Sequence, residues 1–177
     1  VRSPGLVESA MSADDAAKRA ALAFALQCLP SAEPVAAPSI AGFAALVTDR
    51  LVARLGEGAA PWRLHVFCRE TPGSAVRARR CALVAAEALE ALKERRRRLF
   101  RSRIADGSEP WRDGESVAQL VLETPTRGFF SLAPDELCAR LRRSMSRFPG
   151  GVVDVPDDPG PPSRAYRKLL EAEVRLG

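Results

Sequence analysis

The sequence predicts a mixed α/β fold of the α+β kind, a sheet covered by helices. Three observations predict it. Apolar residues recur at helical spacing from Ile40 to Leu55 and again from Leu83 to Leu92. Short blocks of strand length, 62–69, 117–123 and 129–132, alternate or run apolar. The predicted order is helix, strand, helix, strand, helix, strand, strand, helix, which interleaves the two types along one chain. The totals agree with a globular core: of 177 residues, 46% are hydrophobic and 28% charged. A chain of this length buries a core without disulfides or metal. No apolar run reaches the roughly 18 residues of a membrane span. The first 30 residues contain Asp14, Asp15, Lys18 and Arg19 and lack the basic start and apolar block of a secretory leader.

Each element has its own warrant. Ser12 is placed to cap a short helix through about Arg19, with Asp14 and Asp15 where the helix dipole favours them. Phe24, Leu26 and Cys28 alternate as in a strand. Pro30, Pro34 and Pro38 punctuate the next stretch. Ser39 then caps the clearest amphipathic helix, in which Ile40, Phe43, Ala44, Val47, Leu51 and Leu55 share a face and which ends near Gly56. In the strand Trp62–Arg69, Trp62, Leu64, Val66 and Cys68 point one way and Arg63, His65, Phe67 and Arg69 the other. A long helix is expected from Val76 to about Arg103, with Leu83, Val84, Ala85, Ala88, Leu89 and Leu92 docked on the sheet and a basic end projecting. A loop covers 106–113. Val117–Glu123 and Phe129–Leu132, joined by Thr124-Pro125-Thr126-Arg127-Gly128, read as a hairpin. Pro134, Asp135 and Glu136 open a last helix to about Arg143.

The charge is concentrated. Residues 77–103 hold ten basic side chains against Glu87, Glu90 and Glu94, so this segment is +7 and the remainder −2. The cations are nearly all arginine; the lysines are Lys18, Lys93 and Lys168. Arginine presents a planar fork that grips phosphate at two points and stacks on bases. The run has two readings, a solvated helix end or an electrostatic footprint for nucleic acid.

Chemistry elsewhere is sparse. Cys28, Cys68, Cys81 and Cys138 include no C-x-x-C pair and all sit in apolar stretches. They read as buried, reduced core residues, which fits a reducing cytoplasm, and no metal site is expected. His65 is the single histidine and is expected on the sheet surface between two arginines, which disfavour its protonation. No G-x-G-x-x-G follows a strand. Phe148-Pro149-Gly150-Gly151 lacks the preceding strand that a cofactor loop needs. From Phe148 to Pro162 the composition turns to proline, glycine and aspartate, a semi-rigid spacer at a domain boundary. Ser163 caps a final helix of about three turns, too short to be stable alone.

That last segment carries a resemblance. Pro162-Ser163-Arg164-Ala165-Tyr166-x-Lys168-Leu169-x-Glu171-Ala172 resembles the opening motif of the catalytic domain in FtsJ-type ribose 2′-O-methyltransferases. It is most similar to the bacterial branch that modifies large-subunit ribosomal RNA and carries an N-terminal THUMP domain. The match covers about 11 residues, and the element order of 20–150 is compatible with a THUMP-like sheet. The resemblance implies three parts: a THUMP-like RNA-binding domain over 12–148, a linker over 149–162, and at 163–177 the first helix of a truncated Rossmann-like methyltransferase domain.

The family's catalytic Lys-Asp-Lys-Glu set begins at a lysine that falls on Lys168. A free lysine has a pKa of about 10.4, so it becomes a base only if burial or neighbouring cations lower that value. The other three members and the cofactor loop would lie beyond Gly177. The resemblance therefore implies S-adenosylmethionine for the parent enzyme and no cofactor in this chain, which alone would not be active. The implied partner is large-subunit ribosomal RNA, with no membrane and no metal. Expected contacts are Arg95, Arg96, Arg97, Arg98, Arg101 and Arg103. Arg127, Arg142, Arg143, Arg147 and the motif's Arg164 are further candidates, and surface ion pairing is the competing role for each arginine outside the cluster. Two other classes stay open from the residues alone: a protein–protein module whose arginine end binds an acidic partner, and a small enzyme of unknown type.

Overall fold

The computed structural model describes residues 27–56, 60–68, 74–104, 109–142 and 145–152, together with Tyr166, Leu169, Leu170, Ala172 and Glu173. The helix expected at 12–19 and the start of the strand expected at 24–28 lie outside them. The elements are β1 (Glu33–Ala36), α1 (Ile40–Leu55), β2 (Trp62–Cys68), α2 (Ser74–Arg95), α3 (Arg97–Arg101), β3 (Ser116–Leu122), β4 (Arg127–Ala133) and α4 (Asp135–Arg140), followed by a 3-10 turn at Pro149–Gly151. The four strands form one mixed sheet in the order β1-β4-β3-β2. β3 and β4 are the expected antiparallel hairpin, β1 lies antiparallel on β4, and β2 runs parallel to β3. A parallel pair needs a long crossover, and α2 with α3 supplies it. The fold is thus the predicted α+β class.

The first face of the sheet is the main core. Leu64, Ala118 and Leu132 stand in one cross-strand row, and Val66, Leu120 and Phe130 in the next. Against them α1 turns Phe43, Ala44, Val47 and Leu51, and α2 turns Cys81, Val84, Ala88 and Leu92. Ser39 caps α1 as expected, its Oγ accepting from the Gly42 amide at 3.0 Å. Thr48, fully buried on α1, donates from Oγ1 to the carbonyls of Ala44 and of Ala88 on α2, at 2.8 and 3.1 Å, so its hydroxyl is satisfied where the two helices meet.

Several expectations are corrected. Residues 27–29 are not a strand; the first described strand is β1, which contains Pro34. Proline lacks a donor but is tolerated at a sheet edge, and β1 is an edge strand. Leu83, expected in the core, is 47% exposed. The long helix does not run to Arg103: α2 stops at Arg95, and Arg96, at φ −146° and ψ 70°, breaks it before the single turn of α3. The last helix is shorter than expected, ending at Arg140.

The second face of the sheet is covered as well, and this corrects His65. Three rows cross it: Arg63, Val117 and Ala133; His65, Gln119 and Ser131; Phe67, Val121 and Phe129. The middle row is polar, yet His65, Gln119 and Ser131 are all 0% exposed. Segments from both ends of the domain lie over it. Gln119 Nε2 donates to the Cys28 carbonyl at 3.2 Å, and Ser131 Oγ donates to the Pro30 carbonyl. Gln27 Nε2 donates to the carbonyls of Ser146 and Phe148, which ties the two covering segments together. Trp111 holds the same strap through its backbone N–H to Arg147 O and its indole N–H to Ser146 O, both at 3.0 Å. Gly150, at φ 63°, lies so close to the Phe67 ring that a Cβ there would press on it. The start of the proline-rich stretch is therefore part of the packed domain.

Gly128 shows how tightly the hairpin is drawn. Its missing side chain would stand in the row with Leu122 and Val35, and a Cβ would collide with the backbone carbonyl of Val121. Gly128→Ala is expected to lower the unfolding free energy by about 1–3 kcal/mol, the usual cost of forcing atoms into a filled site. Urea unfolding of the variant checks this, and an unchanged midpoint would contradict the close approach.

Candidate nucleic-acid interface

The arginine cluster sits where the crossover returns to the sheet. After the break at Arg96, the chain is stitched to the exposed edge of β2. The Trp62 amide donates to Ser102 O at 3.3 Å, and the Ile104 amide donates to Trp62 O at 2.8 Å. The fully buried Trp62 side chain adds a third tie, its indole N–H donating to Leu99 O at 2.9 Å. Leu99 is buried in the core. With Leu99 and half-buried Phe100 turned inward, a single helical turn has to display its other residues. Arg96, Arg97, Arg98 and Arg101 are exposed.

The cluster's six arginines are not equivalent. Arg95 pairs with Asp49 of α1 at 2.9 Å, with both side chains more than half exposed, so the pair contributes little. Arg103 lays its guanidinium over the Phe100 ring, 4.7 Å from the centroid. The Arg96 side chain donates from Nη1 to the Arg95 carbonyl. Arg97 and Arg101 have no ion-pair partner among the described residues. From Arg95 to Arg103 the sequence has no acidic residue. The corner concentrates positive charge on a turn anchored in the core.

The structure divides the rest of the predicted cations. Arg77, Arg79 and Arg80 belong to the other end of α2, about 25 Å away along the helix axis. Arg127 opens β4 beside Ala36, at the opposite edge of the sheet. Arg142 and Arg147 both reach Asp113, at 3.4 and 3.1 Å, and Arg147 also covers the Trp111 ring at 5.3 Å. These two serve the second face, in the ion-pair role that competes with RNA contact. Arg143, Arg164 and Lys168 lie outside the described residues. In the final segment, Tyr166, Leu169, Leu170, Ala172 and Glu173 are helical.

Sequence reasoning missed the buried charge beneath the second face. Arg63 has a 0% exposed side chain and holds Glu115 with two bonds, Nε to Oε2 at 3.0 Å and Nη2 to Oε1 at 3.3 Å. Its Nη1 donates to the Glu109 carbonyl at 3.2 Å. Glu115 in turn accepts from the Arg112 amide at 3.2 Å. The loop before β3 is thus wound around one guanidinium.

His65 lies two residues further along β2. Burial, and then the Arg63 charge, lower its pKa to about 4; the Glu109 carbonyl and the Glu115 carboxylate favour the protonated ring but are outweighed. Neither ring nitrogen makes a hydrogen bond among the described residues. His65 is a neutral core residue and has no water-accessible proton to exchange. The thiols are similarly quiet. Burial pushes Cys81 and Cys138 up to about 12, with the neighbouring Cys68 thiol adding to the rise at Cys81. Burial also raises Cys28. A protonated thiol is a poor nucleophile.

A shallow depression of about 360 Å³ at the β1–β4 edge is lined by Pro34, Val35, Ala36, Glu123, Arg127 and Phe129. It contains no nucleophile paired with a base. The described residues include no group of three metal-ligating side chains, and none of their helices is long and apolar enough to cross a membrane. Nor do they form a nucleotide-cofactor cradle: the Pro149–Gly151 turn follows no strand, and Gly150 is packed on Phe67. Comparison of the chain with protein-family models, curated proteins and solved structures found no match.

Proposed function

We propose that this chain is the RNA-binding N-terminal module, THUMP-like in role, of an S-adenosylmethionine-dependent ribosomal RNA ribose 2′-O-methyltransferase that works in the reducing cytoplasm. The observation that carries the RNA-binding part is the exposed corner of Arg96, Arg97, Arg98 and Arg101, held on a core-anchored turn with no carboxylate in its own segment. The methyltransferase part rests on the 162–172 motif. S-adenosylmethionine would supply the methyl group in the parent enzyme; the described residues do not fit it, and no catalytic step is assigned to them. Their work is to hold and orient the RNA backbone, each guanidinium taking a phosphate in its fork.

Four phosphate contacts predict a strong salt dependence. Affinity for a structured RNA should fall roughly 100-fold between about 50 and about 200 mM salt. Changing Arg96, Arg97, Arg98 and Arg101 together to alanine should flatten the log–log slope by about 3. A filter-binding titration at several salt concentrations checks both. Undiminished binding by the fourfold variant would move the interface elsewhere. The methyltransferase part is tested by the reading frame after Gly177. A strand ending in a glycine-rich turn is expected there, and a stop codon would overturn it.

A further inference from the structure

We infer that the arginine corner grips double-helical RNA by its phosphates and does not stack on unpaired bases. This rests on the RNA-binding reading and specifies its substrate class.

Modules that take single strands combine a basic track with aromatic platforms, and each stacked base contributes about 1–3 kcal/mol. Among the described residues the corner has no such platform. Residues 93–110 contain one aromatic, Phe100. It is half buried, and the Arg103 guanidinium already occupies its face at 4.7 Å. The neighbouring Trp62 is 0% exposed and its indole N–H is committed to Leu99 O. What remains at the surface is guanidinium, which can cover one side of a base but has no exposed aromatic ring beside it to form a stacking platform.

Rigidity points the same way. The turn is anchored by Leu99 in the core and by the backbone bonds between Trp62, Ser102 and Ile104. The backbone positions that carry the charges are therefore fixed, while the exposed guanidiniums keep their rotamer freedom. A duplex offers phosphates in a fixed array, so the arginine side chains are the main groups to be ordered on binding. A single strand would have to be immobilised residue by residue to match, at an entropic cost that no base contact offsets here. RNA duplexes are recognised mainly through shape, phosphate and ribose, which suits a projecting turn of arginines without a pocket for a base.

The test is fluorescence anisotropy at low salt with the full chain and three RNA probes: a hairpin, a hairpin of unrelated sequence with the same length, and an unstructured single strand of matched length. The two hairpins should bind within about twofold of each other, and at least about tenfold more tightly than the single strand. Arg97→Ala with Arg101→Ala, both at exposed positions, should lower hairpin binding to the single strand's level. Equal or tighter binding of the single strand, or an equal loss on all probes in the double variant, would overturn this inference and leave RNA binding standing. No binding to any probe would overturn both.

Discussion

Glu115→Ala is expected to bring the domain close to unfolding at neutral pH, with a loss of about 3–5 kcal/mol in unfolding free energy. The reason lies in what the change leaves behind. Arg63 has no exposed side-chain surface and cannot lose its proton. Without Glu115 it forfeits two charge-assisted bonds and stays charged inside the sheet. The Arg112 amide also loses its acceptor, which loosens the loop that carries Trp111 and, through Trp111, the strap over the second face. Since a domain of this kind has only about 5–15 kcal/mol of stability, the effect should be plain in a urea melt. Replacing both partners, Arg63→Met with Glu115→Leu, should recover much of the loss, because a buried pair is seldom better than a well-packed apolar one. A loss below about 1 kcal/mol for Glu115→Ala would mean that water reaches Arg63, contrary to its burial.

The buried pair also shows where sequence reasoning stops. The elements defined by neighbours in the chain were legible. Ser39 followed by apolar residues at helical spacing marked α1, and Thr124–Gly128 between two apolar blocks marked the hairpin. Cover supplied from far away was not. Arg63 and His65 alternate with Trp62, Leu64 and Val66, a pattern that locally means one face in water. His65 is buried because residues 27–30 and 145–152, some 80 or more positions off in the second case, cross that face, and Arg63 because the loop before β3 closes on it through Glu109 and Glu115. The break at Arg96 carries no glycine or proline, and the apolar spacing from Leu92 to Leu99 suits an unbroken helix. Only the pairing of Trp62 with Ser102 and Ile104 demands the turn. The arginines of the candidate site were thus readable as a list. Their separation into an exposed corner, a distant helix end and a set engaged with Asp113 depended on contacts that no local pattern encodes.

The same covered face makes the domain sensitive to acid through His65. Its pKa in the folded protein is about 4, below the ordinary 6.5, because burial and then Arg63 disfavour the imidazolium. In the unfolded chain the ring takes up a proton near its ordinary value, so between these two values the unfolded state binds more protons. Stability from the neutral ring is therefore complete above about pH 6.5, declines as pH falls, and is gone below about pH 4. The full difference amounts to roughly 3 kcal/mol. His65→Leu removes the titration and leaves no polar ring to satisfy. Urea unfolding of both proteins at about pH 7, 5.5 and 4 isolates the term, since carboxylates contribute equally to each. At pH 7 the variant should match the native protein or exceed it; at pH 4 it should be the more stable by roughly 3 kcal/mol. Parallel curves would show that the ring is hydrated in the folded state. Curves that diverge would show that the second face stays dry, because a lone histidine in contact with water would titrate alike in both states and contribute nothing.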